Sequence, residues 1–408
     1  MLNKVALRKL SPLNGDPVRF PQQDIVKLKD VLHSMFLDIG ISPSFFRNQT
    51  VLLHPNFVRP NPSVTPASST DPRVVLAIVE CLKEYGATKI QVGENPGFGF
   101  SSRRAFELLD LIRPLKTRNV ELCFFDEGEW VNVENDKGLL FTKIKIAKPV
   151  LDADVFINIP KWKTHMLTNV SLGIKNLLGC IHDDQRMLFH RNDINEKIVD
   201  LALACTPDIT ILDGIWAMEG QAPFHGEAIK DFNGLLVGRD VLAVDLTAAH
   251  LMGFDESEIP HVMIAKQRLW DSDIKVQIIG DSFESLFRRF KRPVLSSAGQ
   301  FPGINCVECG VCIGCLSAIR HSLDKLRVEN NDICLPEVTI LSGRPMMNNL
   351  TMERWKGELI LFGNCASEFQ FYDQEKRCSG KWLSGCPPHV LDLYKLLIKH
   401  CENDRRDS

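Results

Sequence analysis

Apolar residues along this chain come in short blocks that alternate between strand-like and helix-like spacing. Val51-Leu52-Leu53 forms a strand block that ends at Pro55-Asn56. Residues 72–85 then place Val74, Val75, Ile78, Val79 and Leu82 on one helical face. Gly86-Ala87-Thr88 turns the chain into a strand block at 89–92, which runs into Gly93-Glu94-Asn95-Pro96-Gly97. The alternation predicts a helix over 103–113, strands at 119–124 and 154–159, a helix over 195–205 and a strand at 209–213. A helix over 241–251 follows Gly238-Arg239-Asp240. Strands alternating with helices are the grammar of a mainly parallel α/β sheet. The charged, alternating segment 125–148 reads as a β excursion from it.

The pattern changes near residue 290. Loop-forming residues from Lys291 to Gly303 lead into Cys306-x2-Cys309-x2-Cys312-x2-Cys315. Beyond it, 316–326 and 390–399 read as helices, and 337–341 and 358–362 as strands. The expected architecture is a mainly parallel α/β domain over 1–290. A smaller α/β cysteine-rich iron–sulfur module follows over 291–408.

With 408 residues, 44% hydrophobic, 24% charged and a formal net charge of −3, the composition is that of an ordinary globular protein. That balance gives no general argument for nucleic acid or an anionic membrane as partner. No window approaches 18 uninterrupted apolar residues, and the amino terminus is charged too early for a signal peptide. Thirteen cysteines are too dilute for a disulfide framework, and their clustering suits a metal in a reducing compartment, so a cytoplasmic location is expected.

The cysteine run places several thiolates within reach of one metal centre, and soft ligands favour iron–sulfur or zinc over a hard cation. Its first three intervals match a ferredoxin run, but the fourth cysteine comes one residue early and no proline follows. Cys306, Cys309 and Cys312 are therefore the expected ligands of one [4Fe-4S] cluster. Cys315, Cys365, Cys378 and Cys386 could complete it or form a second, with Cys334 needed if eight thiolates serve two clusters. Structural zinc is the alternative. Cys81, Cys123, Cys180 and Cys205 stand singly and read as small core residues.

A second constellation lies in the larger domain. The strand at 154–159 runs directly into Lys161, Lys163, Thr164 and His165, and Lys175-Asn176 sits inside an otherwise apolar stretch. Lys175, set among Ile174, Leu177 and Leu178, must pair, snorkel or bind an anion. Lys163 reads as the more exposed of the two. His165, Lys175, Glu94 and Asp213 are the candidate catalytic residues. Asn56, Lys161, Lys163, Thr164, Asn176, His190 and Glu219 are the candidates for binding a small anionic substrate. The glycines form neither a dinucleotide fingerprint nor a Walker loop, and no nucleophile elbow is present. Three functions remain open: an iron–sulfur oxidoreductase, an electron-transfer or docking subunit serving a redox partner, and a non-redox enzyme with a structural cluster.

These motifs resemble the DUF362 family. The resemblance rests on Pro55-Asn56, Val92-Gly93-Glu94 and Asn158-x-Pro160-Lys161-x-Lys163-Thr164-His165. It continues through Gly173-x-Lys175-Asn176-x-x-Gly179, Asp213-Gly214, Glu219-Gly220, Gly238-x-Asp240 and Ala243-x-Asp245, covering roughly 45–265. His54 takes the place of a lysine in the family's Lys-Pro-Asn pattern. The resemblance implies the α/β domain and makes the shared polar residues a site. It also likens the cysteine module to the cluster-binding portion fused to some relatives.

Overall fold

The computed structural model describes residues 2–13, 21–58, 60, 67–96, 100–189, 193–269, 274–294, 301, 303–329, 337–344, 357–369 and 381–407. Within it the chain divides into two compact units, with the break after Pro293.

The first unit is built on one large sheet. Its strands in chain order are β1 (Leu2–Lys9), β2 (Thr50–Pro55), β3 (Lys89–Glu94) and β4 (Glu121–Phe124). A separate antiparallel ribbon, β5 (Trp130–Glu134) with β6 (Lys143–Ala147), fills the expected β excursion. The sheet resumes with β7 (Val155–Ile159), β8 (Lys161–His165), β9 (Asn169–Val170) and β10 (Ile209–Gln221). It ends with β11 (His225–Ile229), β12 (Gly234–Gly238) and β13 (Lys275–Gly280). Along the sheet the order is β13-β1-β12-β10-β7-β2-β3-β4, with β8 and β11 attached to β10. Every pair from β10 through β7, β2 and β3 to β4 is parallel, whereas β12 is antiparallel to both of its neighbours.

The continuous apolar runs follow from this topology, because a parallel sheet is covered on both faces. Every residue of β7, β8 and β12 is buried. Helices Gln22–Asp38 and Pro72–Glu84 contribute Leu28, Phe36, Val75 and Ile78 to one cluster, which also takes in Val51, Ile157 and Ile211 from the strands. Helix Pro72–Glu84 begins with proline behind Asp71, whose side chain accepts from the Arg73 amide.

Three elements depart from the sequence pattern. The helix expected over 103–113 is two, Ser102–Leu108 and Ile112–Lys116, separated where Asp110 takes a left-handed φ of 50°. The strand expected at 209–213 continues to Gln221, because β8 and β11 give its second half partners. Residues 161–165, the polar run into which the strand at 154–159 leads, form a strand of their own, β8.

The second unit is a four-stranded parallel sheet ordered β14 (Ile304–Cys309), β15 (Val338–Gly343), β16 (Glu358–Phe362) and β17 (Lys381–Leu383). Helices Ile313–Glu329 and Val390–Asp407 pack together on it, contributing Ile319, Leu323, Leu393 and Leu397 to one core.

Candidate functional site

The carboxyl ends of β2, β3 and β7 bring Asn56, Glu94 and Asn158 to one edge of the sheet, where open α/β sheets usually place their sites. The segment 172–180 crosses that edge as two short helical turns. Its start is fixed by Asp245, whose two carboxylate oxygens accept the amides of Gly173 and Ile174 at 2.7 and 2.9 Å. Glycine is required at 173, since an added Cβ would lie 2.7 Å from Asp245 Oδ1. At Gly179 an added Cβ would lie 2.5 Å from His54 Cε1 and 3.2 Å from Glu94 Oε1, so the backbone there presses directly on both side chains.

A chain of amides runs beneath this segment. Asn56 Nδ2 donates to Asn176 Oδ1 (2.6 Å), and Asn176 Nδ2 donates to Asn158 Oδ1 (2.8 Å). Asn158 in turn donates to the Gly173 carbonyl at 2.9 Å. Lys163 Nζ joins this chain, donating to Asn56 Oδ1 at 2.7 Å and to the Ser68 carbonyl at 2.6 Å. Lys161 Nζ donates to Asp213 Oδ2 at 2.8 Å, and the same carboxylate accepts the amides of Asp71 and Ile215. Both oxygens of Asp213 are thus engaged inside the protein.

The lysines reverse the expected order of burial. Lys161 and Lys163 are 2% and 1% exposed, Lys175 8%. The charged run looked exposed because alternation usually sends every second residue to solvent, but β8 is covered on both faces. Hydrogen bonding supplies the distinction that burial does not. Lys163 has two partners, while the Lys175 ammonium makes no hydrogen bond with any described residue. Burial, with Arg186 beside it, brings Lys175 down to about 7 from its ordinary range. Lys163 is pushed well below its usual range by burial and then by the charges of Lys175 and Lys161.

Glu94 faces these cations yet remains largely protonated at neutral pH. Burial raises its carboxyl to about 8, against the opposing pull of Arg186, the Phe57 amide and Lys163. Its Oε2 has no hydrogen-bond partner among the described residues. His54 presents Nδ1 to the Gly93 carbonyl (3.0 Å) and Nε2 to the Asn176 carbonyl (3.1 Å). Burial lowers its pKa, and a neutral ring can donate to only one of these carbonyls.

The other sequence candidates fall around this group. His165 Nδ1 accepts the Leu167 amide at 3.1 Å, which places the proton of a neutral ring on Nε2. Thr164 Oγ1 donates to the Gly220 carbonyl, and Glu219 accepts the Lys291 amide. His190 lies outside the described residues. Two members went unread in the sequence. Arg186 belongs to a run of charges that looks solvated, yet it is 4% exposed and donates to the carbonyls of Asn95 and Leu178. His261 is a lone histidine behind Pro260, with no local signal to mark it.

In the second unit the strand geometry redistributes the cysteines. Three positions along a strand reverse the side of the sheet. Accordingly Cys306 packs with Ile319 and Ile340 on one face, and Cys309 with Leu341 and Leu361 on the other. Cys306 shares its core with Cys312 and Cys315, so of the four cysteines in the run Cys309 alone turns to the other face. The Cys315 thiol donates to Cys312, which with nearby amides brings Cys312 down to about 5. Cys315 itself is pushed far up by that bond, by burial, and by Cys386 and Cys365 close by. Gly363 accommodates the approach, since an added Cβ would lie 3.1 Å from Cys315 Sγ. Among the described residues no group of three or more Cys, His, Asp or Glu side chains is arranged to hold a metal ion as it stands. Cys334 and Cys378 lie outside the described residues.

The family described as domain of unknown function (DUF362) matches residues 51–250. The thylakoid-associated protein sll1697 of Synechocystis is 33% identical over 227 residues, 54% of this chain and 67% of that protein. Among solved structures, the lactate racemase apoprotein from Thermoanaerobacterium thermosaccharolyticum aligns with a TM-score of 0.39 and 12% identity, over 63% of this chain and 57% of that one. A structural-genomics protein from Thermotoga maritima aligns at 0.29 and 14%, over 62% and 60%. This chain thus spans less than two thirds of either structure. No helix among the described residues is long and apolar enough to cross a membrane. The amide chain, the three lysines, Glu94 and Arg186 all lie within the matched segment, and the chain belongs to the DUF362 family.

Proposed function

We propose that this protein is an iron–sulfur oxidoreductase that binds a small anionic substrate at the sheet edge of its DUF362 unit. The observation that carries the reading is a buried cluster of basic side chains, one of which, Lys175, makes no hydrogen bond with any described residue, beside the unpartnered Glu94 Oε2. Lys163, Lys175 and Arg186 interact within one interior, and Glu94, the acid among them, is raised to about 8. Basic groups whose charge is suppressed by burial regain it when an anion joins them, so such an interior favours anion binding. In this reading Lys175 receives the anion and Glu94, as a carboxylic acid, supplies a proton. Asn56, Asn176 and Lys163 hold the floor of the site. Asp213 and Lys161 brace the strands that carry it.

Cys312, Cys315, Cys365 and Cys386 are the proposed ligands of a [4Fe-4S] cluster in the second unit, on the strength of the Cys312–Cys315 contact, the influence of Cys365 and Cys386 on Cys315, and the low pKa of Cys312. Such a cluster exchanges one electron at a time, and the amides around Cys312 would tune its potential. The described free thiols fit a reducing compartment, the cytoplasm in this reading. A docking subunit fits less well, because a basic docking patch needs exposed lysines and these three are buried. A structural zinc on the same four thiols remains the second reading of that site, since a set of four cysteines serves zinc equally.

Iron, acid-labile sulfide and zinc measured on anaerobically purified protein test the cofactor. Cys315→Ser and Cys365→Ser should each lower iron content, whereas Cys309→Ser should retain it. One equivalent of zinc without sulfide would replace the redox reading by the structural one.

A further inference from the structure

One interior histidine belongs to no motif and lies beyond the matched family segment. His261 stands on helix Pro260–Leu269, is fully buried, and leaves both Nδ1 and Nε2 without a hydrogen-bond partner among the described residues. Buried polar groups are nearly always paired, so an imidazole with two unpartnered nitrogens marks a missing partner rather than a packing choice.

Its surroundings indicate what is missing. Helix Pro260–Leu269 packs against Ile194–Ala204 and Val241–Leu251, and the short helix bearing Lys175 packs against the same two. His261 and Lys175 therefore enter the interior from separate elements around a common pair of helices. The two interact electrostatically, with burial and the Lys175 charge bringing His261 down to about 3. A neutral imidazole offers one N–H donor and one lone pair, while the unbonded Lys175 offers only donors and a positive charge. An ion with acceptors alone could satisfy Lys175, but it offers nothing to an imidazole lone pair, which only a donor can meet.

We infer that Lys175 and His261 form one subsite for a small oxyanion that also carries an O–H group. Lys175 neutralises the anionic oxygens, and the ring nitrogen of His261 that carries the lone pair accepts the hydroxyl proton. The inference rests on the anion-binding reading above and adds the residue that selects among anions. A hydroxycarboxylate and a monohydrogen phosphate share the required chemistry, whereas a simple carboxylate lacks it.

Calorimetric titration of the full, cluster-loaded chain with acetate, glycolate and inorganic phosphate tests this. Glycolate or phosphate should bind at least about tenfold more tightly than acetate, the size of effect expected when a polar site loses its partner. His261→Phe should erase that preference, bringing glycolate and phosphate to within about twofold of acetate. His261→Gln, whose amide keeps one donor and one acceptor, should restore much of it. Equal binding of all three probes, unaltered in His261→Phe, overturns the role of His261 and leaves the anion site standing. No binding of any probe to the parent overturns both. Should His261→Phe fail to fold, the imidazole 15N resonances of the parent decide instead. A shift of the His261 nitrogens on adding the tightest probe supports the subsite, and unchanged resonances overturn it.

Discussion

Two buried polar groups stand at the same edge of the large sheet and differ in one respect. In the first, Lys161, Asp213 and the amides of Asp71 and Ile215 use up one another's hydrogen-bonding capacity. In the second, Glu94 Oε2 and both His261 nitrogens are removed from water without partners among the described residues, and Lys175, 8% exposed, makes no hydrogen bond with any of them. Burial of charge therefore does not by itself mark a site. A saturated network holds elements together, and an unsaturated one has room in its hydrogen bonding for something else. The same contrast separates Lys163, held by Asn56 and Ser68, from Lys175, a short way along the chain on a different element.

The sharpest way to break this comparison is to remove Lys161. Lys161→Ala leaves the Asp213 carboxylate buried without its cation and should cost about 3–5 kcal/mol in urea unfolding, the usual penalty for breaking a buried pair. A loss below about 1 kcal/mol would show that the network is not the brace described here.

Lys175→Met should behave in the opposite way. Replacing an unpaired buried ammonium by an apolar chain of similar size should leave the melting temperature unchanged or raise it. Phosphate affinity should fall by about 10–100-fold in the same variant, the loss expected for a hydrogen bond to a charged group. A destabilised variant with intact affinity would move Lys175 into the saturated class.

Titration with pH gives a smaller effect with a definite sign. Between about pH 6 and 9 Lys175, at about 7, loses its positive charge, and Glu94, at about 8, gains a negative one. Both changes oppose an anion, so affinity should fall by about tenfold or more across that range. Glu94 also reports on stability. Its folded pKa lies above the ordinary 4.5, so the folded state keeps a proton that the unfolded chain releases. The resulting stabilisation is complete below 4.5 and is lost as pH rises through about 8. Glu94→Gln should abolish that decline, and an unchanged slope of unfolding free energy against pH would refute the assignment.

The smallest effect belongs at the rim. Thr164→Val removes a single hydroxyl bond to the Gly220 carbonyl and should cost about 1 kcal/mol, with no change in anion affinity.

Much of the fold is legible in the sequence because apolar period and turn chemistry are local properties. The helix at 72–84 and the strands at 89–94, 155–159 and 358–362 follow from apolar spacing bounded by proline, glycine and asparagine. The strand β8 is not, because two lysines and a histidine in five residues look solvated until both faces are seen to be covered. The site was legible to the same limit. Lys175 and Asn176 stand out as polar groups in apolar surroundings, and Asn56, Glu94 and Lys163 as polar residues at the ends of strand blocks. Arg186 and His261 carry no such mark, because their burial is imposed by segments distant in sequence.

By itself, the sequence determined the alternation of strands and helices, the kinds of side chain at the sheet edge, and the crowding of thiols beyond residue 300. Tertiary structure alone decided which of those groups are spent and which are free. Hydrogen bonds saturate, and whether Lys161 meets Asp213 or Lys175 meets nothing depends on where chain segments about 50–90 residues apart come to rest. The cysteines obey the same logic. Their three-residue spacing suggests one centre, but once β14 pairs with β15 the pleat turns Cys309 away from Cys306, Cys312 and Cys315, and Cys315 comes under the influence of Cys365 and Cys386 from distant segments.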